Sequence, residues 1–317
     1  MTDDRIADQI VRLGMIFAEH PAYASLEKKF FDLVSLRRAQ LAAGIAPEVE
    51  GIVVTGPPGA GKSMAVQELL RSFREGEDGG DDGNICEALS CLVPSPATEK
   101  SVGITCLRSL GYKLERDRPA HIIWDMVRDN LRDRQTLFVH FDEAQHLCEK
   151  QTPREIQSVI STLKSLLQNP GWPVGLILSG TPLLKEMINQ DAQLTRRLYP
   201  IELKALNALQ DIDAIIGTLC FYVGKAGLDV CPDSLSAEFV ARLVHAACGE
   251  FGLLIKFIIL AIEQTLRQGK TEVGPAQFQS AYADKSGCMD GMNPFIAVDF
   301  ERIDCSKLYG EGDTYGL

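Results

Sequence analysis

The sequence predicts an α/β fold: a five-stranded parallel sheet sandwiched by helices, followed by a small all-helical domain. Three observations predict it. Between residues 47 and 206, five short apolar runs alternate with segments of helical length and period, the pattern of a parallel sheet covered on both faces. The first run leads into a glycine-rich turn that opens a helix, Gly56-Pro57-Pro58-Gly59-Ala60-Gly61-Lys62-Ser63, which fits GxxxxGK[ST]. After Leu206 the alternation stops and only the helical period continues, to about residue 285.

Residues 1–46 form an N-terminal helical region. Ile6, Ile10, Leu13 and Phe17 keep one helical face, and Leu26, Phe30, Leu33 and Leu36 or Arg37 keep a second after Pro21. The region is either a layer packed on the next domain or a docking arm. The α/β domain spans 47–206. Its first strand is Ile52–Val54, and the helix after the glycine-rich turn runs from Gly61 to about Phe73. Residues 75–83 (EGEDGGDDG) hold five acidic residues and four glycines, so little there can pack and a mobile loop is expected. A second strand over about Ile85–Val93 stops at Pro94 and Pro96. Helices follow at about Lys100–Leu110 and His121–Leu131, and Leu137–Phe141 is the third strand.

Thr152-Pro153-Arg154-Glu155 is a helix start with a mechanism: a hydroxyl cap, proline at the first helical position and a glutamate that completes a capping box. Ile156, Val159, Ile160, Leu163, Leu166 and Leu167 mark the buried face of that helix. Val174–Leu178 and Ile201–Leu206 are the fourth and fifth strands. The helical domain, 207–285, reads as helices over about Gln210–Ala226, Ser236–Cys248, Gly252–Gln268 and Pro275–Tyr282. Residues 286–317 predict a flexible acidic tail, either simply disordered or with Asn293-Pro294-Phe295, Tyr309 and Tyr315 as docking points for a basic partner.

Composition removes several function classes. The 317 residues carry 32 basic and 43 acidic side chains, a net charge of −11, which argues against a polybasic nucleic-acid protein. The excess acid sits in the 75–83 loop and the tail, so the folded body is nearly neutral and a local basic groove stays open. Nine cysteines without a CxxC pair predict reduced thiols in a cytoplasmic protein, with no zinc spacing. The N-terminus lacks the pattern of a secretory leader. The most apolar stretch, Leu253–Ile262, is interrupted by Lys256 and is shorter than the roughly 20 residues of a membrane span, so no membrane partner is expected.

The glycine-rich turn carries the chemistry. Its backbone N–H groups can converge on phosphate oxygens at a helix N-terminus, so Gly56 to Met64 form the cradle. Lys62 supplies a point charge for the β- and γ-phosphates, and Ser63 a hydroxyl for Mg²⁺. A carboxylate should complete the site from a neighbouring strand. Asp142 and Glu143, about eighty residues on, fit: Asp142 to hold Mg²⁺ through water and Glu143 to orient the attacking water. The weaker alternative for this pair is a plain helix start. His140 reads as a packed core histidine. At the end of the fourth strand Thr181 is the first choice for a group sensing the γ-phosphate and Ser179 the second. Arg196 or Arg197, just before the fifth strand, could reach a neighbouring subunit's nucleotide as an arginine finger.

The set GPPGAGKS, LFVHFDE, a polar tip after the fourth strand, a late arginine pair and a helical lid resembles the AAA+ ATPases over about residues 50–270. "AEHPAY", "LVPSPATEKSVGITCLRSLGY", FDEAQHL, SGTPLL, QLTRRLYPIELKAL and the Gly249-Glu250-Phe251-Gly252 step that opens a lid helix resemble the TniB and TnsC branch, the ATP-dependent target-selection regulators of DNA transposition. The resemblance implies an ATPase using ATP and Mg²⁺ that forms a helical or ring homo-oligomer on double-stranded DNA. Its further implied partners are a transposase and a TniQ-like adaptor. It also implies a lid sensor, for which this chain offers Lys256 where many relatives have arginine, and DNA contacts near Thr98 and Lys100. Arg128, Arg132 and Arg134 are alternatives for DNA, but Asp125, Asp129 and Asp133 among them point to intrahelical ion pairs. Competing readings are a nucleotide-switch scaffold with slow turnover, a secretion or replication-initiator type of ATPase, and a small-molecule kinase, which the helical lid and arginine pair disfavour.

Overall fold

The computed structural model describes residues 3–45, 49–75, 85–149 and 151–306. Most of the acidic loop and the tail beyond residue 306, with Tyr309 and Tyr315, lie outside the described residues.

In chain order the elements are α1 (Asp3–Gly14), α2 (Tyr23–Ala42), β1 (Gly51–Thr55), α3 (Lys62–Glu75), β2 (Ala88–Leu92), α4 (Glu99–Ser109), α5 (Ala120–Asp133) and β3 (Phe138–Asp142). They continue with α6 (Pro153–Leu167), β4 (Gly175–Gly180), α7 (Leu183–Asn189), α8 (Ala192–Arg197) and β5 (Leu198–Glu202). The remainder is α9 (Ile212–Lys225), β6 (Asp229–Val230), α10 (Ala237–Ala246), α11 (Phe251–Arg267), β7 (Glu272–Val273) and α12 (Pro275–Ser286). Two compact units result, one from 22–57 and 62–203, the other from the described parts of 1–21, 58–61 and 204–306.

The α/β unit is built on a parallel sheet of order β2-β3-β4-β1-β5. β1, β3 and β4 are buried along their whole length, as strands covered on both faces must be. The expected capping box forms: Thr152 accepts from the Glu155 amide and Glu155 accepts from the Thr152 amide at 2.8 Å. Ile160, Leu163, Leu166 and Leu167 face the core beside Leu176 and Leu178. β5 starts three residues earlier than its apolar run suggests. Leu206 belongs instead to the core of the other unit. α2 buries Arg37 and leaves Leu36 exposed. The guanidinium donates to the Pro173 carbonyl at 3.0 Å and stacks 5.5 Å from the Trp172 ring, and burial pulls its pKa down.

The helical unit packs α9 to α12 around Leu219, Val223, Leu243, Leu254, Ile258 and Phe278. It includes α1 through Leu13, so the region 1–46 is divided between the units. The two-residue parallel pair β6–β7 interrupts what the sequence reads as pure helix. No single helix among the described residues is long and apolar enough to cross a membrane.

Residues 288–306 correct the expectation of a flexible tail. Asn293 is buried and donates to the Gln279 carbonyl at 2.9 Å. Phe295 is buried against Phe239, Phe278 and Tyr282. Arg242 donates to the carbonyls of Pro294 and Ala297 at 2.7 and 2.8 Å. The Asn-Pro-Phe string is thus core, not bait. Phe295→Ala should cost about 3–5 kcal/mol and lower the thermal midpoint, and truncation after Ser286 should do the same. An unchanged melting curve would return these residues to the status of a loose tail.

Candidate nucleotide site

The α/β unit gathers its polar groups at the carboxyl ends of β1, β3 and β4, where such sheets bind ligands. β1 feeds the glycine-rich turn, and α3 begins at Lys62. Lys62 is 8% exposed, and its ammonium donates to the carbonyls of Gly56 and Pro57 at 3.1 and 2.8 Å. The lysine is thus folded back onto its own loop. Ala60 is buried, whereas Pro58, Gly59 and Met64 face outward.

The tip of the turn, Pro58–Gly61, belongs with the helical unit. There the Gly252 amide donates to the Gly59 carbonyl at 2.9 Å. A Cβ on Gly252 would lie 2.7 Å from that carbonyl oxygen, and one on Gly59 would lie 2.1 Å from the Glu250 carboxylate. Gly59 also has φ +76°, in the region that favours glycine. Gly252 is therefore a steric requirement of the turn. Gly252→Ala should displace the tip and weaken triphosphate binding about tenfold, at the cost typical of overpacking, about 1–3 kcal/mol. Titration with a fluorescent ATP analogue checks this.

Asp142 ends β3. Its Oδ1 accepts from Ser63 Oγ at 3.0 Å, from Ser179 Oγ at 2.6 Å and from the Glu143 amide at 3.0 Å. β4 lies between β3 and β1 in the sheet, which is why a β4 hydroxyl sits beside the β3 carboxylate. The set fits a divalent cation: a serine hydroxyl and a carboxylate oxygen, hard donors of the type Mg²⁺ prefers, within hydrogen-bond reach of each other.

Glu143 follows with φ 55° and ψ 38°, left-handed backbone that a residue with a Cβ adopts at a cost of order 1–3 kcal/mol. The turn aims its carboxylate at Gln145, whose amide donates to Glu143 Oε2 at 2.5 Å. Gln145 Oε1 accepts from the Thr181 amide at 3.2 Å. One buried glutamine thus ties Glu143 to the end of β4.

The structure therefore brings Lys62, Ser63, Asp142, Glu143, Ser179 and Thr181 into one end of the α/β unit. Ser179, rather than the first choice Thr181, is the β4 side chain that touches Asp142. Thr181 lies one residue past β4. Arg196 and Arg197 end α8, Arg196 exposed and Arg197 half-buried, and the hydrogen bonds described for Asp142 and Glu143 come from other residues. Lys256 is an exposed residue of α11 in the helical unit. Thr98 caps α4 by accepting from the Ser101 amide at 3.0 Å, and Lys100 pairs with Asp117 at 2.5 Å. Arg128 and Arg132 pair with Asp125 and Asp129 as their spacing predicts.

Sequence reasoning missed Gln145, whereas its reading of His140 as a packed core histidine holds. The signal for Gln145 was its place two residues after Glu143. His140 is 1% exposed, with its ring nitrogens 2.8 Å from Ser179 Oγ and 2.9 Å from Ser90 Oγ. Burial pushes its pKa down to about 4, against the pull of the Asp142 charge, so the ring is neutral at physiological pH.

Residues 50–188 match the family model described as an AAA domain. Among solved structures, it is similar to Cdc6p from Pyrobaculum aerophilum, with a TM-score of 0.60 at 15% identity over 89% of this chain and 71% of that one. It is similar to the ORC1 protein of Aeropyrum pernix, solved in complex with DNA, with 0.58 at 13% over 86% and 66%. A chain of Drosophila ORC bound to DNA gives 0.57 at 12% over 92% and 69%. These likenesses show the fold, that of the AAA+ P-loop NTPases. No curated protein sequence matches the chain. Within the matched residues, the Ser63–Asp142 contact joins the glycine-rich turn to the end of β3.

Proposed function

We propose that this chain is a Mg²⁺-dependent ATPase that oligomerises on duplex DNA and recruits a transposase to it. The observation that carries the ATPase part is the single cluster of Lys62, Ser63, Asp142 and Glu143. Lys62 and the amides of Gly59 to Ser63 bind and orient the triphosphate. Ser63 and Asp142 would hold Mg²⁺, which supplies charge neutralisation to the β- and γ-phosphate oxygens. Glu143, whose Oε2 is held by Gln145, would accept on Oε1 a proton from the attacking water as the bond to the β,γ-bridging oxygen breaks. Thr181, or failing it Ser179, would contact the γ-phosphate and report the nucleotide's state to β4. Arg196 or Arg197 serves a neighbouring subunit's nucleotide, so ATP stabilises the oligomer by linkage.

The DNA part is supported by two relatives of this fold whose structures contain DNA, and by the sequence strings that resemble the TniB and TnsC branch. Few basic contacts per subunit, repeated along an assembly, reconcile DNA binding with an acidic chain. The second reading is a replication-initiator type of ATPase, which the Cdc6 and ORC likenesses favour.

Electron microscopy with a slowly hydrolysed ATP analogue, with and without duplex DNA, tests the assembly. ATP-dependent rings or filaments on DNA support it; monomers under every condition sink it. Capture of a transposase, rather than a replicative helicase, by the ATP-bound assembly separates the two readings.

A further inference from the structure

The polar network at Asp142 does not stop at the nucleotide motifs. It continues through Ser179 and His140 to Ser90, crossing β4, β3 and β2. Ser90 stands opposite His140 in the β2–β3 register and is exposed on the edge strand. His140 and Ser179 are fully buried.

Counting hydrogens fixes the direction of this line. The Asp142 carboxylate only accepts, so the one hydroxyl hydrogen of Ser179 goes to Oδ1, at 2.6 Å. Ser179 Oγ must then accept from His140 across their 2.8 Å contact, which places the ring hydrogen on Nε2. Nδ1 of the neutral ring is left as an acceptor, and Ser90 Oγ donates to it at 2.9 Å. Every described hydrogen bond to Asp142's side chain ends on Oδ1, so this line and the Ser63 hydroxyl together fix the carboxylate's orientation.

We propose that His140, held in its Nε2–H tautomer by Ser179 with Ser90 on its other ring nitrogen, is a positioning residue that orients the Asp142 carboxylate through Ser179. Without its N–H, Ser179 keeps an unpaired lone pair in a dry interior and its hydroxyl is free to turn away from Asp142. Outer groups that orient metal ligands in this way are typically worth 10–100-fold in metal affinity. The inference rests on the ATPase reading, because the carboxylate's orientation matters only if it serves a bound cation.

The experiment uses the full chain, labelled with ¹⁵N in its histidines, and Mn²⁺ binding in the presence of ADP followed by electron paramagnetic resonance. The wild-type spectrum should show His140 as the Nε2–H tautomer, and Ser90→Ala, a surface change, should keep it, because Ser179 has no second hydrogen to donate. His140→Leu should weaken Mn²⁺ binding about 10–100-fold. His140→Gln, whose amide reaches the Nε2 position, should restore it to within a few fold. Ser179→Ala should match His140→Leu, and the double variant should be no worse than either. A Nδ1–H tautomer overturns the inference. So does wild-type Mn²⁺ affinity in His140→Leu with only a lowered melting point, which would make His140 a packing residue. If His140→Leu fails to fold, the wild-type tautomer and Mn²⁺ binding by His140→Gln decide by the same readouts. A wild-type chain that binds neither Mn²⁺ nor nucleotide overturns the ATPase reading as well, whereas wild-type binding with insensitive variants overturns this inference alone.

Discussion

Glu143→Gln should slow ATP turnover by about 10²–10⁴-fold, the usual worth of a positioned general base, while leaving ATP bound. The carboxylate sits next to Asp142, on a left-handed backbone turn that aims it at Gln145, which is tied to the end of β4. Glutamine keeps the shape and the contact to Gln145 but cannot take a proton from water. The variant should therefore accumulate the ATP-bound oligomer, and on duplex DNA its complexes should outlast those of the wild type. Single-turnover hydrolysis separates chemistry from product release. Equal rates for the two proteins, with and without DNA, would remove Glu143 from the chemistry and favour a nucleotide-switch scaffold.

Lys62→Ala should act earlier, on binding itself. The ammonium is nearly buried, and its partners are carbonyls of its own loop. Removing a buried, hydrogen-bonded charge of this kind from a charged ligand costs about 2–5 kcal/mol, roughly 30-fold to several thousand-fold in affinity. ATP should lose more than ADP, because the lysine serves the β- and γ-phosphates. Oligomers that need ATP should disappear with it, whereas the melting temperature without nucleotide should hardly change. A variant that binds ATP as tightly as the wild type would place the triphosphate elsewhere.

These two side chains were legible in the sequence because their motifs are local. GPPGAGKS needs only a strand before it and a helix after it, and the apolar run ending in Asp142-Glu143 needs only its own strand. The Thr152 cap was legible for the same reason. Strand order was not: pairing β1 with β4 and β5, and β2 with β3, is a property of non-local hydrogen bonds that period-2 patterns do not encode. That order brings Ser179 to Asp142, so the choice between Ser179 and Thr181 was beyond sequence reasoning. Leu206 extended the fifth apolar run, yet its side chain fills the other unit's core. Phe295 looked like a docking residue because its neighbours are acidic and glycine-rich, and composition cannot tell an exposed aromatic from one that closes a helical core. Arg37 lies at the period where an apolar residue is expected and is buried there, stacked on Trp172 and donating to a backbone carbonyl.

The central claim is that a triphosphate is held by Lys62 and its loop and cleaved beside Asp142 and Glu143. Equilibrium titration of the purified chain with ATP and Mg²⁺, run beside Lys62→Ala and with phosphate release followed in the same samples, tests it most directly. The account predicts saturable binding by the wild type, slow phosphate release that duplex DNA changes, and the loss of both in Lys62→Ala. Absence of ATP binding by the wild type, or binding and release undiminished in Lys62→Ala, would contradict it.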